Sequence, residues 1–419
     1  MHFNSKIELN DINFTLVKQM FNTSKIDNVR DEVYKEFDEL NVKKLITPNM
    51  KIGVTSGSRG IANINIITRA VCDYLKEAGA SPFIIPAMGS HGGATAEGQI
   101  DVLKNLGITE ESMKCPILSD MDVVKVGETA NNVPVYMDKN AYLADGIVVL
   151  NRIKPHTDFD SDIESGLTKM ISVGLGKAKG CSTMHSYGLR KTIPEAARVS
   201  IKAVNIMFGL GIIENSKDET YKLIALLAKD FEEKEKALLK ESKGTVPKLP
   251  VGFLDLLVVK EMGKMISGTG MDTKVLGRIK IAGEPEPIMP VINKVVVLNL
   301  AKNSHGNALG IGLADITTQK LADSIDFDAT YANTIATTFL ERAKVPITMS
   351  NDEEAIKVAI STIGNVNADN IKIAIIENTL NLQRIYLSNA AIQDLDKSKV
   401  EIIESNIKLS FDEVGNLII

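Results

Sequence analysis

MKIGVTSGSRGIANINIITRAVCDYLKEAGASPFIIPAMGSHGG, residues 50–93, decides the fold class. Residues 50–56 form an apolar run that reads as a strand. Over residues 63–78, Ile66, Ile67, Ala70, Val71 and Leu75 recur at helical spacing, and Gly79 closes the helix. Residues 81–90 read as the next strand, HGG as the turn after it, and ATAEGQIDVLKNLG as a helix ending at Gly107. This alternation predicts βαβ units and an α/β fold with a largely parallel, Rossmann-like sheet. Ligands of such sheets bind in loops at the carboxyl ends of strands. The loops at 56–60 and 89–93 are therefore the first candidates.

Reading outward, ADGIVVLN at 144–151 is another strand, and the loop after it, NRIKPHTDFDSDIESGLTKM, holds Lys154, His156 and Lys169. The glycine-rich, basic run GLGKAKG (174–180) and the loop-like CSTMHSYG with His185 follow. Helices are expected over 194–207 and 217–241, the second with a charged, solvated face in AKDFEEKEKALLKESKG. The texture changes after residue 243, and KVVVLNLA (294–301), KNSHGNALGIG and ADITTQKLADSI suggest a further α/β unit. The expected division is an N-terminal catalytic domain of residues 1–275 and a smaller C-terminal α/β domain of 276–419. The last strands, about 400–419 with a turn at Gly415, are candidates to return to the first domain.

A chain of 419 residues buries large cores without disulfide or metal staples, so stability explains none of its unusual residues. A net charge of −5 gives no electrostatic footprint for nucleic acid or an anionic membrane, which leaves a small molecule or a protein as partner. Cys72, Cys115 and Cys181 lie far apart with no CxxC spacing, which argues against a disulfide framework or a zinc site. The N-terminus lacks the continuous apolar core of a signal peptide, and no apolar run is long enough to span a bilayer; by exclusion, a cytoplasmic protein is expected.

Five histidines remain to be explained. His91 in GSHGG, His156 in KPHTDF and His185 in STMHSYG would each, alone, read as a polar loop residue. Together they fall in loops expected at one edge of one sheet, where a neutral imidazole serves as base, acid or metal ligand. His305, in KNSHGNALGIG, lies in a similar loop of the second domain, while His2 is assigned no role. Arg59 in SGSRG stands at a helix start, where it holds a carboxylate or phosphate or is simply a surface arginine. GLGKAKG could cradle a phosphate with Gly174, Gly176 and Lys177, although it lacks P-loop and GxGxxG spacing.

The ordered set SGSRG, GSHGG, KPHTDF, SGLTKM and STMH resembles the lactate racemase family, whose members depend on a nickel-pincer nucleotide. The interval of sixteen residues from Lys169 to His185 is the family's, and the intervals from Arg59 to His91 and from His91 to His156 are similar. The resemblance covers the N-terminal two-thirds. It implies that Lys169 is bonded covalently to the pyridinium-3,5-bisthiocarboxylic acid mononucleotide, that His185 ligates its nickel, and that Gly174, Gly176 and Lys177 lie near its phosphate. His91 and His156 become the acid/base pair on either side of C2 of a 2-hydroxy acid, with Arg59 and Ser56 against the substrate and the active site in the cleft between domains. Hydride leaves C2 for the cofactor and returns to the other face, giving racemisation or epimerisation. Cofactor-biosynthesis enzymes become partners.

Two departures shift the expected substrate. Ser56 stands where the family has an acidic residue, and the C-terminal tyrosine, glutamine and lysine region has no counterpart, NLAKNSHGNALGIG taking its place. Asn303, His305 and Asn307 would suit a larger, hydroxylated acid such as a sugar acid. The alternatives from other classes are a sugar-acid lyase without the pincer and a non-catalytic nickel- or cofactor-binding protein. The oligomeric state is not legible.

Overall fold

The first strand, β1 (Phe14–Gln19), and helix α1 (Val29–Glu39) precede the expected βαβ unit, β2 (Lys51–Ser56), α2 (Ile64–Glu77) and β3 (Ser81–Pro86). The computed structural model describes residues 7–58 and 60–419. Helix α2 buries Ile64, Ile67, Val71, Tyr74 and Leu75, a stripe of three- and four-residue spacing. Ile66, counted with that stripe in the sequence, lies off it and is exposed.

Next come α3 (Ala96–Asn105), the short α4 (Glu110–Met113), the strands β4 (Val123–Glu128) and β5 (Pro134–Asp138), α5 (Lys139–Tyr142) and β6 (Gly146–Arg152). Helices α6 (Leu167–Lys169), α7 (Lys177–Ser186) and α8 (Leu189–Ala203) lead into a hairpin of β7 (Ile206–Glu214) and β8 (Thr220–Leu227), and α9 (Phe231–Thr245) completes this part of the chain. The helix expected over 217–241 is thus a strand and then a helix. TYKLIALL pairs antiparallel with IMFGLGIIE, and burial of Leu223, Ala225 and Leu226 outweighs its helix-compatible spacing. The helix expected over 194–207 runs instead from Leu189 to Ala203, because residues 206–214 are needed in the sheet.

Residues 22–246 form one compact unit, with a five-stranded sheet in the order β3-β2-β6-β7-β8. All neighbours are parallel except β7 and β8. Alternate residues of each strand enter opposite cores: Ile52, Val54, Val148 and Leu150 pack with α1 and α2. Ile147 and Val149 pack on the other face with Phe231, Leu238 and Leu239 of α9. Burial on both faces is why these strands read as continuous apolar runs.

Residues 247–419 form the second unit together with the segment up to residue 21. Its eight strands run β12 (Ile347–Met349), β11 (Ile316–Thr318), β10 (Val291–Leu300), β9 (Phe253–Met262), β13 (Ile373–Ile376), β14 (Arg384–Ser388), β1 and β15 (Val400–Ile407). The division falls at 246/247 and not at 275/276, because β9 is the middle of this sheet, paired with both β10 and β13. The terminal exchange also runs the other way. Residues 400–407 stay with the C-terminal unit, and β1 crosses to it, lying antiparallel between β14 and β15 with Phe14 and Val17 wholly buried. Among the described residues, no helix is long and apolar enough to cross a membrane.

Candidate active site

In the sheet of residues 22–246, β2 lies between β3 and β6, and the chain passes first to one side of β2 and later to the other. Loops leaving β2 and β6 therefore diverge and open a crevice at the carboxyl ends of these strands. Ser56 ends β2 there, buried, and its hydroxyl has no hydrogen-bond partner. The loop beyond is fastened by Glu214, which accepts from the Ala62 N–H at 2.6 Å and pairs with Arg152. Arg59 lies outside the described residues.

Ser56 and Pro86 are register partners, so the loop with His91 starts level with the loop after β2. The segment 89–93 turns through left-handed glycines, and a side chain on Gly92 would strike the backbone of Gly98 at 2.5 Å. Gln99 of α3 ties it down, its side-chain amide donating to the carbonyls of Gly89 (2.9 Å) and His91 (3.3 Å). Gln99 in turn accepts from Lys177 at 2.9 Å. His91 itself is exposed.

The loop after β6 brings two expected residues into contact. Lys169 Nζ lies 2.5 Å from His156 Nε2. Nδ1 of His156 accepts from the Asp158 N–H at 3.1 Å, the ring stacks on Phe159 at 4.6 Å, and Glu164 accepts from the His156 backbone N–H at 2.5 Å. Burial, and then the Lys169 ammonium, hold His156 well below its ordinary pKa, so the ring is neutral near pH 7. His185 belongs to the same electrostatic group: partial desolvation and Lys169 lower its pKa, while Asp158 raises it. It sits on α7 and not in a loop, with its imidazole open to solvent. Cys181, one turn earlier, touches the position a side chain on Gly89 would take, so the His91 loop is seated on this helix.

Three expected cofactor contacts have other work. Lys177 is completely buried, donating to the Pro86 carbonyl (2.6 Å) and Gln99 and paired at 3.1 Å with the equally buried Asp138. Gly174 and Gly176 are buried where a side chain would strike Ala87 and Met170, or Gly180 and Ser172. Their lack of a side chain serves close packing of the protein on itself. In the other unit, Asn303 and His305 are exposed on the loop after β10, whereas Asn307 spends its amide on Ala329 and Leu309.

Residues 5–196 match the lactate racemase N-terminal domain. Over those residues the chain is similar to the lactate racemase family. Among solved structures it is similar to the lactate racemase apoprotein from Thermoanaerobacterium thermosaccharolyticum, with a TM-score of 0.52 at 15% identity over 87% of this chain and 93% of that one. That likeness bears on the fold. No curated protein sequence matches the chain.

Within this fold, the residues that hold the site together carry almost no signal in the sequence. Asp158, Glu164, Gln99, Asp138, Glu235 and Lys243 are ordinary polar letters in the sequence, and their roles come from burial. The one local signal was Gly166. Its backbone is extended and needs no glycine, but a side chain there would lie 2.1 Å from Glu235 Oε1. Glu235 comes from the helix read as solvated, and it is wholly buried.

Proposed function

We propose that this protein is a cytoplasmic isomerase that inverts C2 of a hydroxylated 2-hydroxy acid, using a nickel-pincer nucleotide carried on Lys169. The observation that carries the reading is the joining of His156, Lys169 and His185 in one electrostatic group beside the sheet's crevice.

The residues fit such a group. His185 offers a neutral, accessible imidazole, a donor suited to nickel whose remaining ligands come from sulfur and carbon of a bound molecule. Among the described residues no three His, Cys, Asp or Glu side chains gather as a metal site, so the protein's contribution is this single donor. Ser56 leaves an unpaired hydroxyl at the carboxyl end of β2. When bound, the cofactor would supply a hydride-accepting centre for C2 of the substrate.

His156 presents Nε2 to the substrate, because the Asp158 N–H donates to Nδ1; with Nδ1 accepting, the neutral ring carries its proton on Nε2, and taking the hydroxyl proton there requires that proton to shift to Nδ1 and the Asp158 bond to break. Its lowered pKa keeps it a base at neutral pH. His91, exposed on a loop held by Gln99, supplies the second proton position for the opposite face. Arg59 orients the substrate carboxylate. A sugar acid is favoured over lactate by Ser56 and by the polar residues Asn303 and His305 in place of the family's tyrosine, glutamine and lysine.

Intact mass and metal analysis after co-expression with the cofactor's biosynthetic enzymes test the attachment. The expected result is an adduct on Lys169 with one nickel, and an unmodified, nickel-free chain would refute it. His91→Ala and His156→Ala should each abolish stereoinversion with nickel retained, whereas His185→Ala should lose nickel first. Deuterium placed at C2 of an aldonate should be kept through inversion; washout would point to a carbanion route.

A further inference from the structure

Lys169 lies in the first turn of a helical run in which α6 (Leu167–Lys169) passes directly into a π-helical turn, Met170–Gly174. The first N–H groups of such a run lack partners within it. The missing partner comes from α9, more than sixty residues away. Glu235 Oε2 accepts from both the backbone N–H (3.0 Å) and the hydroxyl (2.9 Å) of Thr168. From the other side, Ser172 donates to the carbonyls of Thr168 (2.9 Å) and Lys169 (3.3 Å), and Asn151 of β6 donates to Gly166 O at 2.7 Å.

We propose that Glu235 is the positioning residue of Lys169, fixing the direction of its side chain through Thr168 in space that Gly166 leaves open. The inference rests on the reading of Lys169 as the site's reactive amine, but its geometry stands by itself. Glu235 is completely buried, and among the described residues its Oε1 has no hydrogen-bond partner and no cation pairs with it. An unpaired buried carboxyl is a costly residue for a helix that could place leucine there. It stands where its carboxyl reaches the residue before Lys169. Burial pushes its pKa up to about 7, so a neutral form is accessible, with the proton on Oε1 and Oε2 still accepting both bonds.

The test uses the full-length apo chain and an acylating probe, the N-hydroxysuccinimide ester of acetic acid, at limiting concentration. Peptide mass spectrometry reads labelling of Lys169 relative to the exposed Lys104, alongside melting temperature. Glu235→Gln keeps the acceptor oxygen and the shape, and should leave the labelling ratio unchanged. Glu235→Leu should change it by about tenfold in a chain that is still folded, since a displacement on the order of 1 Å suffices for such an effect. Gly166→Ala forces the carboxyl aside without removing it and should move the ratio in the same way, which keeps the test open if the leucine variant does not fold.

An unchanged ratio in folded Glu235→Leu or in Gly166→Ala would overturn the proposal. So would a change in Glu235→Gln as large as in the leucine variant, because charge and not the bond would then be the cause. Absence of a cofactor adduct in the wild type would refute the functional reading and leave this ratio as it is, so the two failures are distinguishable.

Discussion

At the scale of single residues, the site contains two buried groups whose protons pull stability in opposite directions. His156 has a folded pKa well below its ordinary 6.5, so the unfolded chain binds the proton more readily, and this contribution is lost as pH falls through 6.5. Glu235 has a folded pKa of about 7 against an ordinary 4.5, so its contribution is complete below 4.5 and is lost as pH rises from there to about 7. Between pH 4.5 and 6.5 the two partly cancel. We expect Glu235→Gln to steepen the rise of stability with pH and to gain on the order of 3 kcal/mol at pH 8, because the neutral amide has no charge to desolvate. His156→Gln should do the reverse, removing up to about 1.4 kcal/mol per pH unit of the loss seen on acidification below 6.5. Urea denaturation of the apo protein across pH 4.5–8 checks both. The histidines themselves were legible in the sequence because glycine and proline mark their loops, and two of the three sit in loops as read. Asp158 and Phe159, which set the tautomer and plane of His156, were not legible, since hydrogen bonding through Nδ1 depends on how the loop after Pro155 closes.

Elements show why the rest was hidden. The run FEEKEKALLKESKGT has the look of a water-facing helix, and most of its charges are indeed at the surface. Glu235 and Lys243 are exceptions: the first reaches Thr168, and the second pairs with the buried Glu164 at 2.6 Å, which in turn holds the His156 backbone. One helix thus fastens both Lys169 and His156, and periodicity cannot reveal it because an inward glutamate and an outward one are the same letter. GLGKAKG misleads in the opposite sense, since its lysine was expected to meet a phosphate and is enclosed between β3, α3 and the end of β5. Burial pushes Asp138 up and Lys177 down, which marks a pair held at the expense of desolvation. Lys177→Met should therefore cost about 3–5 kcal/mol by leaving Asp138 buried without its cation, and Lys177→Met/Asp138→Leu should recover most of that loss. Equilibrium unfolding of the three proteins is the measurement. A single variant as stable as the wild type would show that the pair carries no weight.

For the whole molecule, the alternation read from residues 50–93 led to the correct architecture because strands covered on both faces advertise themselves as apolar runs. The division between units was misplaced because it depends on a pairing between distant segments, β1 with β14 and β15, which no local pattern encodes. The expected experimental counterpart is asymmetric. A fragment of residues 22–246 should unfold cooperatively by itself, whereas residues 247–419 alone should not, since β14 and β15 lose the strand between them; adding residues 1–21 through a linker should restore the transition. Circular dichroism and urea titration of the three fragments decide the matter. The same strand sets a schedule for synthesis. With elongation at about 5–20 residues per second, β1 leaves the ribosome roughly 20–80 s before β15 exists to cover its other edge. During that interval Phe14, Leu16 and Val17 face the crowded cell with no sheet to join, while the unit bearing Lys169 can already have folded behind them. For that whole interval the nascent chain exposes an unpaired apolar strand, a template for aggregation.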